Sequence, residues 1–345
     1  MKTAILTLAF AMTAVAQNYT AEHATDHGIP IIRLADKAAG VEVKISPTIG
    51  NRAYEMNVHG GNILDFPYPD VAAFEKHPTL CGIPFLAPWA NRLSEQSFWA
   101  NDKKYLLNMG LGNIQGGPIP IHGFLSASPR WKVVALKAGP DSAYVTSRFD
   151  FWKNPDMMAQ WPFAQTYEMT YILSKGTLEV RLTVTNLSNE SMPLAIGFHP
   201  YYKIPGIPRD QWTAHIPARQ HVEAVENLPT GEFKPNSLPQ SFSLKGHTFD
   251  DGFIDLVREA DGRAHFSIEA AGKKVEAMFG PKYPVAIVWA PNGRDGTPKD
   301  FICFEPMVGI TNAVNLAHEG KYPHLQTVPA GGHWTESFWI HPSGF

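Results

Sequence analysis

Glycine and proline recur along the whole sequence and leave only short apolar stretches between them. The chain has 28 Gly and 29 Pro in 345 residues, and both residue types interrupt regular secondary structure. Long helices therefore have little room. The clearest periodic stretch, residues 178–185, alternates apolar and polar residues. This pattern predicts a strand in a sheet with one buried face.

Several other segments have the same character. Residues 165–173 precede the periodic stretch, and Lys175-Gly176 supplies a turn between the two, so they are predicted to form an antiparallel hairpin. Residues 41–45, 143–149, 266–270 and 285–289 are also predicted strands, and Asp70–His77 a short helix. Because no helical pattern alternates with the strands, the sequence predicts an all-β antiparallel sandwich or barrel rather than βαβ units.

The first 16 residues have the organisation of a signal peptide. A Met-Lys start is followed by an apolar run from Ala4 to Val15, and Ala-Val-Ala at residues 14–16 precedes a polar segment. The alternative is a buried N-terminal helix. No later stretch has the length and apolarity of a membrane span, and no linker is evident. We therefore expect a single domain over residues 17–345, secreted or periplasmic and not membrane-bound once the signal is removed.

Charge and cysteine content narrow the expected partners. The net charge is −3, and Lys and Arg never occur more than two in a row, so no footprint for nucleic acid or anionic lipid is present. A small neutral molecule is the expected partner, and the chain is expected to be a monomer or a homodimer.

Cys81 and Cys303 lie in apolar surroundings, which favours two buried free thiols, although a disulfide between them stays open. No metal-binding motif is present, so neither metal nor cofactor is expected.

Four segments embed polar, titratable residues among aromatic residues, Gly and Pro, a composition typical of the rim of a sugar pocket. In the first, Arg92 follows a stiff Pro-containing stretch and offers a fixed fork of donors for hydroxyl groups. An equally good interpretation is a surface arginine paired with Glu95. In the second, His122 precedes Gly123, where the backbone is free to turn or to approach a ligand, although such a histidine is more often structural.

The remaining two segments contain the strongest candidates for proton transfer. His199 precedes Pro200 among aromatic rings, a partly dry setting that disfavours the imidazolium. Glu305 ends an apolar run, where burial is expected to raise its pKa and make it a competent base; a buried glutamate held by arginine or backbone amides is the alternative. A weaker candidate is Asp250, in an acidic turn-like segment.

In this order, the segments resemble those of the aldose 1-epimerase (galactose mutarotase-like) family. The resemblance extends from about residue 60 to residue 339, and no single motif would suffice for it. The motifs that match are Ala90-Asn91-Arg92, Ile121-His122-Gly123, Gly197-Phe198-His199-Pro200-Tyr201, Cys303-Phe304-Glu305-Pro306-Met307 and Asn312-Ala313-Val314-Asn315.

The resemblance implies a large antiparallel β-sandwich and an enzyme that interconverts the α and β anomers of a free aldose. It assigns the general base to Glu305 and the general acid to His199, which should face one pyranose from opposite sides. It also gives His122 a place in the catalytic site, where this residue and Arg92 position and polarise the sugar. Asn91 and Asp250 complete the implied site as substrate-binding residues, although Asp250 is followed here by Asp251 where the family usually has histidine.

Alternative functions remain open from the sequence. Gly82-Ile-Pro-Phe and Trp161-Pro-Phe are similar to the hexose-6-phosphate epimerase branch of the superfamily, but the basic residues are too scattered to identify a phosphate site. A glycoside hydrolase or lyase on a similar sandwich is a second alternative, although a hydrolase normally needs two carboxylates. The third is a non-catalytic carbohydrate-binding protein with Trp89, Phe124 and Trp161 as stacking platforms.

Overall fold

The structure is a computed structural model that describes residues 18–114 and 116–345. The predicted signal peptide, residues 1–16, lies outside the described residues. The α-helices are Val71–Lys76 (α1), Pro155–Met158 (α2) and Ala313–His318 (α3). The strands are Tyr19–Asp26 (β1), Ile29–Asp36 (β2), Val41–Ser46 (β3), Arg52–Val58 (β4), Gly61–Asn62 (β5), Phe85–Leu86 (β6), Ser97–Ala100 (β7), Lys103–Leu106 (β8), Lys132–Ala138 (β9), Ala143–Asp150 (β10), Gln165–Ser174 (β11), Thr177–Asn186 (β12), Met192–Leu194 (β13), Gly197–Phe198 (β14), Tyr201–Tyr202 (β15), Thr213–His215 (β16), Ala218–Val225 (β17), Leu228–Pro235 (β18), Ser241–Ser243 (β19), Phe249–Leu256 (β20), Ala264–Ala270 (β21), Lys273–Phe279 (β22), Val285–Ala290 (β23), Ile302–Met307 (β24), Gln326–Val328 (β25) and His333–Ser343 (β26).

Most strands belong to three antiparallel sheets. The five-stranded sheet has the order β1-β2-β3-β4-β5, and the nine-stranded sheet β19-β16-β21-β22-β26-β12-β11-β10-β9. The eight-stranded sheet has the order β18-β17-β20-β23-β24-β14-β6, with β15 also paired to β24. Two further ribbons pair β13 with β25 and β7 with β8. The predicted all-β antiparallel architecture is therefore confirmed.

The hairpin predicted around residues 165–185 forms as β11 and β12. Ser174 pairs with Thr177, so the connection is a two-residue loop. Its residues, Lys175 and Gly176, have φ of 49° and 70°, as a type I′ turn requires. The apolar residues of β12 are fully buried and the residues between them are partly or fully exposed. The alternation in the sequence thus predicted the buried face correctly.

The other local predictions also correspond to structure. The four further predicted strands appear as β3, β10, β21 and β23. Helix α1 occupies residues 71–76 within the predicted helix, and the Asp70 side chain caps it by accepting a hydrogen bond from Ala73 N at 2.8 Å. No helix among the described residues has both the length and the apolarity to cross a membrane.

The hydrophobic core lies between the eight-stranded and nine-stranded sheets. Phe198 of β14 meets Phe338 of β26 with ring centroids 4.9 Å apart, and Phe304 of β24 meets Phe266 of β21 at 5.4 Å. The two sheets therefore form a large antiparallel sandwich. Because successive side chains of a strand point to opposite faces, the residue after Phe304 lies on the outer face of the eight-stranded sheet.

Candidate active site

A cleft of about 180 Å³ lies on that outer face. All six residues singled out in the sequence line it: Asn91, Arg92, His122, His199, Asp250 and Glu305. They come from loops and strands separated by up to about two hundred positions, so the convergence is produced by the sheet and not by the chain order. The cleft is therefore the candidate active site.

Glu305 and His199 form the centre of this site. Glu305 lies on β24 and is 1% exposed, and His199 lies between β14 and β15. The backbone N–H of His199 donates to Pro84 O at 3.0 Å, and the His199 ring stacks on Tyr201 with ring centroids 4.8 Å apart. These contacts fix the imidazole so that His199 Nε2 lies 3.2 Å from Glu305 Oε1.

The direct contact between these two side chains corrects one expectation. The sequence-based prediction placed them on opposite sides of a space as wide as a pyranose, whereas they touch. The reason is the sheet pairing: β14 and β15, on either side of His199, both pair with β24, which carries Glu305. Side chains on one face of adjacent strands are direct neighbours.

Burial dominates the protonation of this pair. It raises the pKa of Glu305 well above its ordinary value, with a further increase from Asp250 and an opposing effect of Arg92. It lowers the pKa of His199 well below its ordinary value, and the nearby His122 adds to this shift. Each group is thus disfavoured in its charged form when alone. One proton shared between the two side chains leaves the pair without net charge.

His122 is held in one tautomer by its neighbour. The backbone N–H of Asn91 donates to the ring atom His122 Nδ1 at 3.1 Å, and the backbone N–H of His122 donates to Asn91 O at 3.0 Å. Burial lowers the pKa of His122 to about 3, and the charge of Arg92 acts in the same direction. A neutral imidazole that accepts at Nδ1 carries its proton on Nε2. His122 therefore offers a fixed N–H donor.

The glycine after His122 allows the backbone to pass close to a neighbouring loop. Gly123 has φ of 62°, and a Cβ at this position would lie 2.1 Å from Ala87 O. Phe124 N donates to the same carbonyl at 2.8 Å. Only glycine fits here, and the close approach fixes the position of His122 relative to the rest of the site.

Arg92 and Asp250 face each other across the cleft. Arg92 Nη1 donates to Asn91 Oδ1 at 3.1 Å, and Nη2 lies 3.9 Å from Asp250 Oδ2. Burial raises the pKa of Asp250, an effect that Arg92 opposes and Asp251 reinforces. Glu95, the surface partner that the sequence left open for Arg92, instead pairs with Lys104 at 2.7 Å.

The two adjacent aspartates have different surroundings. Asp250 lines the cleft, whereas Asp251 points to the other face of β20 and contacts His221 Nε2 at 2.8 Å. The departure from the family pattern at residue 251 therefore lies away from the cleft.

The Asn-rich stretch supports the Arg92 loop from behind. The Asn312 N–H donates to Arg92 O at 3.0 Å, and Asn312 Oδ1 accepts from Ser94 N at 3.1 Å. Asn315 Nδ2 donates to the same Oδ1 at 2.8 Å. This stretch therefore positions the loop.

The aromatic residues of the cleft are not the ones expected. Trp89, Phe124 and Trp161 are 0%, 7% and 1% exposed, so the proposal that they stack on a sugar is wrong: they pack against one another in the core. Tyr201 and Trp289 line the cleft instead. Trp289 lies at the end of a predicted strand, but only its pairing with Cys303 in the sheet places it at the site.

Leu80 and Ile121 complete the apolar lining of the cleft. Ile121 belongs to the Ile121-His122-Gly123 motif, whereas Leu80 had no predicted role in the site. Cys81 and Cys303 are buried and free, as the sequence favoured. Among the described residues, the donor atoms of His199, Cys303 and Glu305 all lie within 4.8 Å of one another, so this trio has the composition and spacing to hold a metal ion.

Comparisons with known proteins agree with the fold. The sequence model of the family described as aldose 1-epimerase matches residues 30–341. A galactose mutarotase-like protein from Clostridium acetobutylicum superposes with a TM-score of 0.82 at 25% identity, over 95% of this chain and 99% of that one. A protein from Synechocystis sp. PCC 6803 superposes with a TM-score of 0.73 at 25% identity, over 93% of this chain and 98% of that one. The galactose 1-epimerase from Lactobacillus acidophilus NCFM superposes with a TM-score of 0.71 at 14% identity, over 94% of this chain and 98% of that one. At this identity the similarity is one of fold.

Proposed function

Since the chain belongs to the aldose 1-epimerase family, we propose that it is an isomerase that interconverts the α and β anomers of a free aldose. The observation that carries this proposal is the contact between a buried carboxyl group and a buried imidazole, 3.2 Å apart, at the wall of a cleft. The reaction opens and recloses one C–O bond within the sugar and needs only proton transfers from the protein, so one acid and one base supply the chemistry.

The proposed mechanism uses one proton held by the Glu305–His199 pair. Glu305 as carboxylate removes the proton of the anomeric hydroxyl, while His199 as imidazolium donates its proton to the ring oxygen. The bond between C1 and the ring oxygen breaks and C1 becomes an aldehyde. After rotation about the C1–C2 bond, the freed hydroxyl attacks the other face of the carbonyl. The two proton transfers then run in reverse, and the pair regains its starting state.

The other cleft residues are proposed to bind and orient the sugar. His122 donates its Nε2–H to a sugar oxygen and, being neutral, does not compete for the transferred protons. Arg92 supplies charged donors and Asp250 an acceptor, the combination that suits vicinal hydroxyl groups. Asn91 holds both His122 and Arg92 in place. Tyr201 and Trp289 provide apolar surface against the sugar ring.

A neutral sugar fits this cleft better than a hexose 6-phosphate. Arg92 is the only Lys or Arg among the described residues that line the cleft, and Asp250 lies opposite it. Phosphate sites normally combine several cationic or backbone N–H donors. Hexose 6-phosphate epimerisation is the alternative, and a substrate panel with and without a 6-phosphate distinguishes the two.

Polarimetry of freshly dissolved α-aldoses tests the proposal. Wild-type protein is expected to accelerate equilibration, and Glu305→Gln and His199→Asn are expected to lower kcat by more than about a hundredfold. Wild-type turnover in either variant would contradict the assignment. Binding of the sugar without faster equilibration would indicate a carbohydrate-binding protein instead. Asp250 adds a second carboxylate to the cleft, so release of reducing ends from an oligosaccharide should also be assayed, because it would indicate a hydrolase.

We further propose that the chain is exported and acts outside the cytoplasm. The support is the sequence of residues 1–16 alone. Intact-mass measurement of the protein recovered from the medium or the periplasm should give a chain that begins at Gln17. A mature chain that retains Met1 in the cytoplasm would refute export.

A further inference from the structure

Cys303 lies beside the proposed catalytic pair but takes no part in the mechanism. It precedes Glu305 by two positions on β24, so both side chains lie on the same face of the sheet. Its strand partners are Tyr201 and Trp289, which line the cleft. The donor atoms of His199, Cys303 and Glu305 all lie within 4.8 Å of one another.

This set of donors has the chemistry of a zinc ligand set. Zinc prefers imidazole nitrogen, thiolate sulfur and carboxylate oxygen, at about 2.0 to 2.3 Å. Tetrahedral geometry at those bond lengths places the ligand atoms about 3.3 to 3.8 Å apart. The His199–Glu305 contact is already 3.2 Å. The thiol therefore needs to move by at most about 1 Å, within the range of a side-chain rotation.

A second observation also points to a ligand. Glu305 Oε2 is buried and has no hydrogen-bond partner among the described residues, in a side chain that is 1% exposed. A buried carboxylate oxygen without a partner is costly, and a ligand would satisfy it. His199 and Glu305 both border the cleft, which gives an ion an entry path to these two ligands.

We propose that His199, Cys303 and Glu305 form an inhibitory site for a thiophilic divalent cation of the zinc class. The bound ion occupies the lone pairs of the proposed acid and base, so neither can exchange protons with a sugar. Cation and sugar therefore compete for the same cleft. The inhibition rests on the proposed epimerase function, whereas the binding of the ion does not.

Cobalt binding tests the site without reference to catalysis. EDTA-treated and desalted wild-type protein titrated with Co²⁺ is expected to develop a thiolate-to-cobalt charge-transfer band, which Zn²⁺ displaces. Cys303→Ser is expected to lose the band and at least about 90% of the Zn²⁺ affinity measured by calorimetry. Cys81→Ser is the matched control, because Cys81 is equally buried but contacts Arg52 and lies outside the trio. No band in the wild type, or an equal loss in both variants, would overturn the proposal.

Inhibition is measured separately by polarimetry. Zn²⁺ is expected to slow the wild type competitively with the aldose, and EDTA to restore the rate. Cys303→Ser, and Cys303→Ala as a second variant, should retain turnover without added metal, which also shows that they fold, and should need at least about ten times more Zn²⁺ for inhibition. Equal inhibition of wild type and variants would overturn the proposal. Cobalt binding in a protein that does not epimerise sugars would refute only the proposed function.

Discussion

Replacement of Gly123 by alanine should disturb the site through the backbone. The added Cβ would lie 2.1 Å from the carbonyl oxygen of Ala87 and 2.4 Å from its carbon. Both are backbone atoms, and the oxygen also accepts the N–H of Phe124. Neither atom can rotate away as a side chain would, so the loop that carries His122 must move.

Two contributions determine how much Gly123→Ala is expected to destabilise the protein. An alanine at φ of 62° costs about 1 kcal/mol relative to glycine. Relief of the contact from 2.1 Å to the 3.0 Å that real Cβ atoms respect requires a shift of about 0.9 Å, and overpacking of this kind costs about 1 to 3 kcal/mol. We therefore expect a loss of about 2 to 4 kcal/mol in the free energy of unfolding. A displacement near 1 Å at a reacting site lowers activity by about a hundredfold.

Urea unfolding and polarimetry on one preparation measure both effects. Gly272→Ala is the control, because Gly272 also has positive φ, 77°, but its Cβ would meet no atom within 4 Å. The control should lose only about 1 kcal/mol and keep wild-type kcat/KM. A Gly123→Ala protein that is no less stable than the control and has wild-type kcat/KM would refute the reasoning.

Two further predictions concern charged groups. Burial tends to raise the pKa of Asp26, but hydrogen bonds with His27, Lys44 and Tyr54 outweigh it and lower this pKa below 3.8. The carboxylate therefore stabilises the fold fully above that pH, and less as the pH falls through the lowered pKa. Asp26→Asn should cost about 1 kcal/mol at pH 7 and progressively less towards pH 2 in urea unfolding; a pH-independent difference would contradict this. Arg92→Lys keeps the charge but loses the planar fork, so kcat/KM should fall about tenfold in polarimetry, whereas an unchanged value would remove Arg92 from sugar binding.

Much of the candidate site was predictable because its residues occur in ordered motifs. Glu305, His122 and Arg92 each had a structural alternative when taken singly, and only the ordered resemblance placed them with His199 in one common site. The contacts between them were not predictable. The partner of Arg92 depended on which strand edge faces its loop, and the sequence offered Glu95 and not Asp250 as the nearest carboxylate.

The sequence by itself determined the local structure. Alternating residues set the buried face of β12, Lys175-Gly176 set its hairpin turn, and Asp70 set the start of α1, since each depends on neighbours within a few positions. Only the tertiary structure decided which aromatic rings reach the cleft. Trp89 and Trp161 look like exposed sugar platforms in the sequence but lie in the core, whereas Trp289 reaches the cleft through its place in the eight-stranded sheet. Exposure depends on what packs against a ring from distant strands, and no local pattern encodes it.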